Sequence, residues 1–426
     1  MNSIDTSGCI SGGVHYASRL ENDIFRLILR QLTVGIAGVL IVGCGGGGGG
    51  DVIPAFTLFT GIAIADLNGD TKPDLVTSNI FIDDRPPHPG HVTVSLQQAV
   101  TPGMFENGVD YQVGADPQFV AAADLNSDGR IDLLTTNYND NSLSLLEQSP
   151  AVTGAYLPVT NLAIATHPDG IVLADINGDS VDDIVTTGWY LALLLNTPGN
   201  PGSFTDGGTI NTNSYIPSVA AGDIDGDGRI DLVAADTTNG AVLVFFQDNA
   251  PAQPGTYSGM TTYPAGNQPF DVELTDLDGD AKLDIVIANL GTPSDPDTAS
   301  VAVLIQDHNA AARGQFLAAV FYTTGARSQD VAVGDLNDDG LPDLAVANAG
   351  HLNDTGSLSI LFQGAVPGAF IGAVNIAGIT QPLALAIGDL NADGLNDIAM
   401  ADDGAAVLFQ NMQAPGTFRP AVLIDR

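Results

Sequence analysis

A nine-residue pattern, D-x-[D/N]-x-D-x-x-x-D, recurs seven times in this chain of 426 residues and constrains its fold more than any other feature. The copies occupy residues 66–74, 124–132, 175–183, 223–231, 276–284, 335–343 and 389–397. Successive copies begin 48 to 59 residues apart. A period of this length is typical of a propeller, a solenoid or another array of repeats.

Four short apolar runs accompany each copy, with the alternation and β-branched content of strands. In the second repeat the first three runs are residues 119–123, 132–137 and 142–146, and a Pro-Gly turn such as Pro254-Gly255 precedes the fourth run in most repeats. We therefore predict an all-β fold: a seven-bladed β-propeller of four-stranded antiparallel blades over residues 56–426. The last repeat contains all four runs, so closure needs no borrowed strand, although residues 55–59 could add one at the seam.

The chemistry of the pattern favours calcium. Positions 1, 3, 5 and 9 supply side-chain oxygens, and position 7 can add its backbone carbonyl. Ca²⁺ takes six to eight oxygen ligands in flexible geometry, whereas Mg²⁺ needs a stricter octahedron. No Cys lies near the pattern and no His recurs in register, which argues against zinc or copper. An EF-hand is excluded because position 12 is never Glu and because the flanking segments have the pattern of strands.

Over residues 56–426 the units resemble the FG-GAP/VCBS repeats of integrin α-subunit propellers and of many bacterial surface proteins. The resemblance implies one calcium loop in each blade, hence up to seven Ca²⁺ ions, bound by the matching residues of each loop. At position 7 the ligand is the backbone carbonyl. Loop by loop, these residues are Asp66, Asn68, Asp70, Lys72 and Asp74; Asp124, Asn126, Asp128, Arg130 and Asp132; Asp175, Asn177, Asp179, Val181 and Asp183; Asp223, Asp225, Asp227, Arg229 and Asp231; Asp276, Asp278, Asp280, Lys282 and Asp284; Asp335, Asn337, Asp339, Leu341 and Asp343; Asp389, Asn391, Asp393, Leu395 and Asp397.

The charge balance agrees with this interpretation. The chain has 50 acidic and 12 basic residues, a formal net charge of −38. Such a charge excludes binding to nucleic acid through basic patches, because phosphates would be repelled. Only two cysteines, Cys9 and Cys44, are present. No disulfide can therefore form within residues 56–426, and calcium is expected to stabilise the fold instead.

The seven loops are not expected to bind equally. Position 6 makes a sharp turn, and it is Gly in four loops but Thr71, Ser180 and Ala281 in the first, third and fifth. If that turn requires a positive φ, the three non-glycine residues are strained there. The sequence therefore predicts weaker binding in these loops, and the extra charge of Asp278 could offset the strain in the fifth.

The N-terminal segment predicts export. Residues 32–44, LTVGIAGVLIVGC, have the length of a signal-peptide core and end in a segment that resembles the lipobox of bacterial lipoproteins. We therefore expect residues 1–44 to be a signal peptide, with Cys44 as the lipidated first residue of the mature protein, and residues 45–55 to be a Gly-rich tether. An ordinary secretory signal is the alternative. Residues 1–31 carry no net positive charge, so translation is expected to start later than Met1. The predicted location is the bacterial cell envelope, as an outer-membrane or surface lipoprotein whose only membrane contact is the lipid anchor.

The sequence contains no recognisable catalytic constellation: GxSxG, HExxH and a P-loop are all missing. Binding or adhesion to a protein or polysaccharide at the cell surface is therefore the predicted function. A polysaccharide lyase, a hydrolase or a lectin on the same scaffold remains the alternative. The calcium loops and the Pro-Gly turns should share one face, and the variable loops should project from the other. On that second face the expected partner-binding residues are Trp189, Tyr190, His88 and His91.

Overall fold

The computed structural model describes residues 56–82, 90–164, 167–249, 255–292, 294–309, 314–351, 355–402 and 404–425. It contains 28 strands and one 3-10 turn, Pro296–Thr298. The strands, four to a blade, are β1 (Phe56–Ala65), β2 (Asp74–Ile82), β3 (Gly90–Ser95) and β4 (Val109–Val113); β5 (Pro117–Ala123), β6 (Asp132–Asn137), β7 (Ser142–Leu146) and β8 (Thr160–Ala163); β9 (Ile171–Ala174), β10 (Asp183–Thr186), β11 (Leu191–Asn196) and β12 (Phe204–Ile210); β13 (Val219–Gly222), β14 (Asp231–Asp236), β15 (Ala241–Phe245) and β16 (Thr261–Pro264); β17 (Pro269–Thr275), β18 (Asp284–Asn289), β19 (Ser300–Leu304) and β20 (Val320–Thr323); β21 (Ser328–Gly334), β22 (Asp343–Asn348), β23 (Gly356–Leu361) and β24 (Val374–Ile379); β25 (Ala384–Gly388), β26 (Asp397–Asp402), β27 (Gly404–Leu408) and β28 (Val422–Asp425).

The seven sheets confirm the predicted propeller. In each sheet four consecutive strands pair antiparallel in chain order. The first strand of each blade contacts the first strand of the next, and β1 contacts β25, which closes the ring. No strand is borrowed at the seam: residues 56–59 belong to β1, the innermost strand of blade 1, and blade 7 has its own fourth strand, β28.

The hydrophobic core lies between the blades. At the seam, Phe59 and Phe105 of blade 1 pack in one buried cluster with Leu390, Val407 and Phe409 of blade 7. The second and third strands are covered on both faces, so β6 and β7 are buried throughout, whereas the outer strand β8 is mostly exposed. Burial on both faces explains why the inner segments are continuous apolar runs.

Acidic side chains join the inner strands of neighbouring blades. Asp271 Oδ1 accepts a hydrogen bond from Ser218 Oγ at 2.8 Å, and Asp271 Oδ2 accepts one from the Val331 N–H at 3.1 Å. Asp330 Oδ2 accepts the Leu385 N–H at 2.5 Å. Burial and, next, the neighbouring Asp271 raise the pKa of Asp330 well above its ordinary value. Desolvation by the surrounding inner strands and, next, the neighbouring Asp271 raise the pKa of Glu273 to about 8, although the residue still reaches solvent. Asp271 and Asp330 therefore join the inner strands of blades 4 to 7, and the raised pKa values favour the protonated state at Asp330 and Glu273.

The expected signal peptide, Cys44 and the tether lie outside the described residues. In the part of the chain that the structure describes, no helix is long and apolar enough to cross a membrane.

Candidate metal sites and partner face

Each nine-residue loop connects the first strand of its blade to the second, and its backbone folds around the position-1 carboxylate. In the first loop, the N–H groups of Gly69 and Thr71 donate to Asp66 Oδ1 and Oδ2, both at 2.7 Å. The bond from the position-6 N–H to the position-1 Oδ2 is present in all seven loops at 2.7–2.9 Å. These bonds hold the position-1 carboxylate inside the turn.

Position 5 is held in a similar way. Its Oδ1 accepts the backbone N–H of position 7 in every loop, at 2.9–3.1 Å. In four loops the side chain at position 7 is basic and also pairs with the position-5 carboxylate. The pairs are Lys72–Asp70, Arg130–Asp128, Arg229–Asp227 and Lys282–Asp280. In those loops an internal cation partly offsets the acidic charge, a feature that the pattern of oxygen ligands did not reveal.

The position-9 Asp is a buried anchor as well as a candidate ligand. In the first loop, Asp74 is fully buried; its Oδ2 accepts the Leu67 N–H at 2.8 Å and its Oδ1 the Gln97 N–H at 2.7 Å. The same two bonds recur in every blade, at 2.8–3.2 Å and 2.7–2.8 Å. They tie the loop to the end of the third strand.

Burial is the main cause of a raised pKa at these anchors, although the backbone N–H donors act against it. The pKa of Asp74 rises to about 6 and that of Asp397 to about 7. The other five position-9 Asp residues, which also reach about 6, are Asp132, Asp183, Asp231, Asp284 and Asp343. A divalent cation nearby would favour the charged form.

The donor set fits calcium. Where position 3 is Asp, carboxylate oxygens of positions 1, 3 and 9 lie within 4.8 Å of one another, as in Asp223, Asp225 and Asp231. The same holds for Asp276, Asp278 and Asp284 in the fifth loop. Oxygen donors grouped at such separations are what Ca²⁺ requires, and bound calcium would relieve the repulsion among the carboxylates.

The backbone of the loops changes the expected ranking of sites. Position 6 has a positive φ in all seven loops, including Thr71 at 68°, Ser180 at 72° and Ala281 at 65°. Position 4 also has a positive φ in every loop, and the residues there are Gly69, Ser127, Gly178, Gly226, Gly279, Asp338 and Ala392. Each loop except the fourth therefore has one non-glycine residue in the left-handed region. On backbone strain alone the fourth loop stands apart, and the first, third and fifth are not a separate weak class.

The turn between the third and fourth strands of the next blade covers each loop. Gly368 has a φ of +70°, and a Cβ there would lie 2.6 Å from Ile305 Cδ1 and 3.6 Å from Asp278 Cβ. The equivalent glycines lie against the preceding blade in the same way: Gly103, Gly154, Gly202, Gly255, Gly314 and Gly416. The nine-residue loops and these turns thus share one face, as predicted.

A recurring side-chain amide at the end of the third strand links adjacent blades in five of the seven repeats, a role that the Asp pattern does not indicate. Gln247 Nε2 donates to the carbonyl oxygen of Ile176, position 2 of the preceding loop, at 2.7 Å. Equivalent bonds to the preceding blade come from Gln97, Gln148, Asn196 and Gln306. Gln363 and Gln410 instead donate within their own blades, to Pro342 and Asn396. A Gln or Asn in the same register in all seven repeats was the available signal.

The opposite face contains an aromatic group across blades 2 to 4. Trp189, in the tight turn between β10 and β11, is 57% exposed, and its ring lies edge-on to Tyr215 at a centroid distance of 5.7 Å. The Tyr215 hydroxyl donates to Asp169 Oδ2. In the adjacent blade, Tyr138 stacks on His167 at 4.7 Å. The sequence predicted Trp189 but not its partners, because they are brought together only by neighbouring blades.

The other predicted partner residues are placed differently. Tyr190 is half-buried beside Trp189. His91 is half-buried in β3, paired with Asn79 and Gln112, so it is a strand residue and not part of a variable loop. His88 lies outside the described residues.

Protein-family models match three segments of the repeat region. The FG-GAP-like repeat model matches residues 124–186 and 223–287, and the FG-GAP repeat model matches residues 329–361. No curated protein sequence matches the chain.

Solved structures share the fold at low sequence identity. A protein of Bacteroides fragilis, provisionally assigned as a 6-phosphogluconolactonase, has a TM-score of 0.54 at 15% identity, over 76% of this chain and 85% of that one. The periplasmic gluconolactonase of Pseudomonas aeruginosa has a TM-score of 0.50 at 15% identity, over 76% of this chain and 86% of that one. At such identity the likeness concerns the fold alone. The chain therefore contains FG-GAP-type repeats, matched over residues 124–186, 223–287 and 329–361, and it folds as a seven-bladed β-propeller.

Proposed function

We propose that this propeller is a calcium-stabilised binding protein of the bacterial cell envelope. Its partner is a protein or a polysaccharide, bound on the face opposite the calcium loops. The observation that carries the proposal is the exposed Trp189, which lies against Tyr215 on that face.

The aromatic group has the composition of a recognition surface. Trp and Tyr are enriched at binding hot spots because they combine a large apolar area with polar atoms. The hydrogen bond to Asp169 holds the Tyr215 ring in place. Tyr215 therefore packs against one edge of Trp189, while much of the Trp189 ring stays exposed. Two adjacent loops on this face are also joined, since His351 Nε2 lies 3.0 Å from Asp297 Oδ1. A rigid scaffold with variable loops is a common basis for recognition.

The calcium loops serve the proposed function by stabilising the scaffold. Their carboxylates are held by backbone hydrogen bonds and covered by the next blade, so calcium would order both a loop and a blade interface. That role needs neither an open coordination site nor a catalytic base.

The test is binding of the full chain, with calcium present, to glycan and matrix-protein arrays. Trp189→Ala should then weaken binding to the partner identified by about 2 kcal/mol or more, as for other hot-spot aromatics. Met104→Ala is the matched control, because Met104 is 47% exposed and follows the Gly103 turn on the calcium face. Both variants should melt like the wild type. Normal binding by Trp189→Ala with loss in Met104→Ala would place the partner on the calcium face instead.

The lipid anchor is proposed from the sequence around Cys44. Two acyl chains give stable membrane attachment, whereas one chain binds only marginally. Cys44→Ser should therefore move the protein to the soluble fraction or block its processing, as cell fractionation would detect. Unchanged membrane retention would rule out the anchor.

A further inference from the structure

The fifth calcium loop lies beside an imidazole. His308 Nδ1 is 2.9 Å from Asp280 Oδ2, and His308 Nε2 is 3.2 Å from Asp278 Oδ2. A ring nitrogen and one oxygen from each carboxylate all lie within 4.8 Å of one another. Such separations allow all three atoms to bind a single metal ion.

The position of His308 follows from the strand end that precedes it. The Gln306 N–H donates to Asp284 Oδ1 at 2.7 Å, which fixes the chain beside the loop two residues before His308. The residues two positions after the equivalent Gln or Asn of the other blades are Ala99, Pro150, Pro198, Asn249, Ala365 and Met412. None of them offers an imidazole, so this arrangement is specific to the fifth blade.

The donor chemistry differs from that of the other loops. Calcium binds oxygen ligands, whereas an imidazole nitrogen suits zinc, copper, nickel or cobalt. Two carboxylates and one imidazole form a ligand set found in transition-metal sites. Asp278 is nearly buried, with only 7% of its side chain exposed, whereas 62% of His308 is exposed. An ion could therefore enter from the solvent side, next to His308.

We propose that the fifth loop binds a divalent transition-metal ion through Asp278, Asp280 and one ring nitrogen of His308. The inference rests on the proposed function in one respect: Asp278 and Asp280 are also candidate ligands for calcium in the fifth loop. It gives one blade a metal selectivity that the other six blades do not share.

The ammonium group of Lys282 competes with such a metal ion for Asp280. Its Nζ lies 3.2 Å from Asp280 Oδ2 and donates to the Asp307 carbonyl oxygen at 3.0 Å. A metal at Asp280 must compete with this ammonium group. Lys282→Met removes the competing charge but keeps the backbone carbonyl, so it should tighten binding of the transition metal.

The experiment is a titration of the full chain with Co²⁺ in a calcium-containing buffer, which keeps the other loops filled, followed by visible d–d absorption and equilibrium dialysis. The wild type should bind one Co²⁺ with the spectrum of mixed nitrogen and oxygen coordination. Removal of a residue that hydrogen-bonds a metal ligand lowers metal affinity by about 10- to 100-fold. Removal of the ligand itself should cost at least as much, so His308→Ala should weaken Co²⁺ binding by about 10- to 100-fold or more. His351→Ala is the matched control, because His351 pairs with Asp297 on the opposite face.

Identical Co²⁺ binding by His308→Ala and the wild type would overturn the proposal, as would a wild-type spectrum of oxygen coordination alone. The Lys282→Met variant provides a second reading, and unchanged or weaker Co²⁺ binding in it would also count against the site. A separate Ca²⁺ titration of each variant distinguishes the two ideas. His308→Ala should keep the wild-type calcium stoichiometry, and a failure of calcium binding in the wild type would contradict the proposed function without affecting the Co²⁺ result.

Discussion

Gln97 Nε2 donates a 2.7 Å hydrogen bond to the carbonyl oxygen of Leu390, which joins blade 1 to the nine-residue loop of blade 7. The two residues are separated by 293 positions in the chain. The backbone N–H of Gln97 also donates to Asp74, the buried anchor of the loop in its own blade. One residue therefore couples ring closure to two candidate calcium sites.

Replacement of Gln97 should weaken the seam. Gln97→Ala leaves the buried carbonyl of Leu390 without this donor, and such a loss costs about 1–3 kcal/mol. Denaturant unfolding should detect the loss. Gln98→Ala is the control, because Gln98 Nε2 makes only a 3.3 Å bond to Phe105 within its own blade. Equal stability of the two variants would mean that the Gln97 amide does not stabilise the closed ring.

Removal of calcium should lower the melting temperature by many degrees. A ligand that binds only the native state adds about 2.7 kcal/mol per site at a hundredfold excess over Kd. Calorimetry of the full chain with calcium, with EDTA, and with EDTA followed by excess calcium would measure the effect and its reversal. A melting curve that EDTA leaves unmoved would contradict a structural role for calcium.

Glycine substitutions should show that positions 4 and 6 of the loops are equivalent. Ser127 and Ser180 have φ values of 57° and 72°. Ser127→Gly and Ser180→Gly should each tighten calcium binding in their loops by about 1 kcal/mol, because a left-handed non-glycine residue is strained by roughly that amount. Calcium titration by calorimetry provides the measurement.

Gly228→Ala in the fourth loop is the converse control and should weaken binding. A Cβ at Gly228 would meet no atom within 4 Å, so its effect would come from the backbone alone. If Ser180→Gly tightens calcium binding and Ser127→Gly does not, backbone strain affects calcium affinity only at position 6.

A rise in pH from mildly acidic to about 8 should weaken the inner ring of strands. The pKa of Glu273 is raised to about 8, so the folded state binds this proton more tightly than the unfolded state does. The resulting stability is fully present below the ordinary pKa of Glu and is lost as the pH rises through about 8. In calcium-saturated protein, Glu273→Gln should reduce the fall in melting temperature between about pH 5 and pH 8, the range between its ordinary and its raised pKa, as a pH series of melting curves would show.

Asp330 provides an independent check on this ring. Asp330→Asn keeps an oxygen that can accept the Leu385 N–H but cannot ionise, whereas Asp330→Ala removes the acceptor. Above neutral pH the Asn variant should be at least as stable as the wild type, and the Ala variant should be less stable. A steeper loss of stability with rising pH in Glu273→Gln or Asp330→Asn would contradict the assignment of protonated acids.

The sequence by itself determined the repeat number, the strand pattern and the acidic loops. The alternation around 119–123 and 132–137, the Asp spacing and the turn glycines act within a few residues, and local sterics and hydrogen bonding decide their structure. Even the positive φ at Ser180 could be anticipated from the sharp turn at position 6. The second left-handed position, at Ser127 and its equivalents, required the backbone itself.

Only the tertiary structure decided which groups meet between blades. Gln97 contacts Leu390 because the ring closes, Tyr215 contacts Trp189 because blades 3 and 4 are adjacent, and Gly368 covers Asp278 because each blade lies over the preceding loop. His308 has no counterpart in the repeat pattern, and Gln306 holds the segment before it beside Asp284. These contacts depend on the packing of whole sheets, which no local pattern encodes, since residues far apart in the chain become neighbours only when the buried faces of adjacent blades come together.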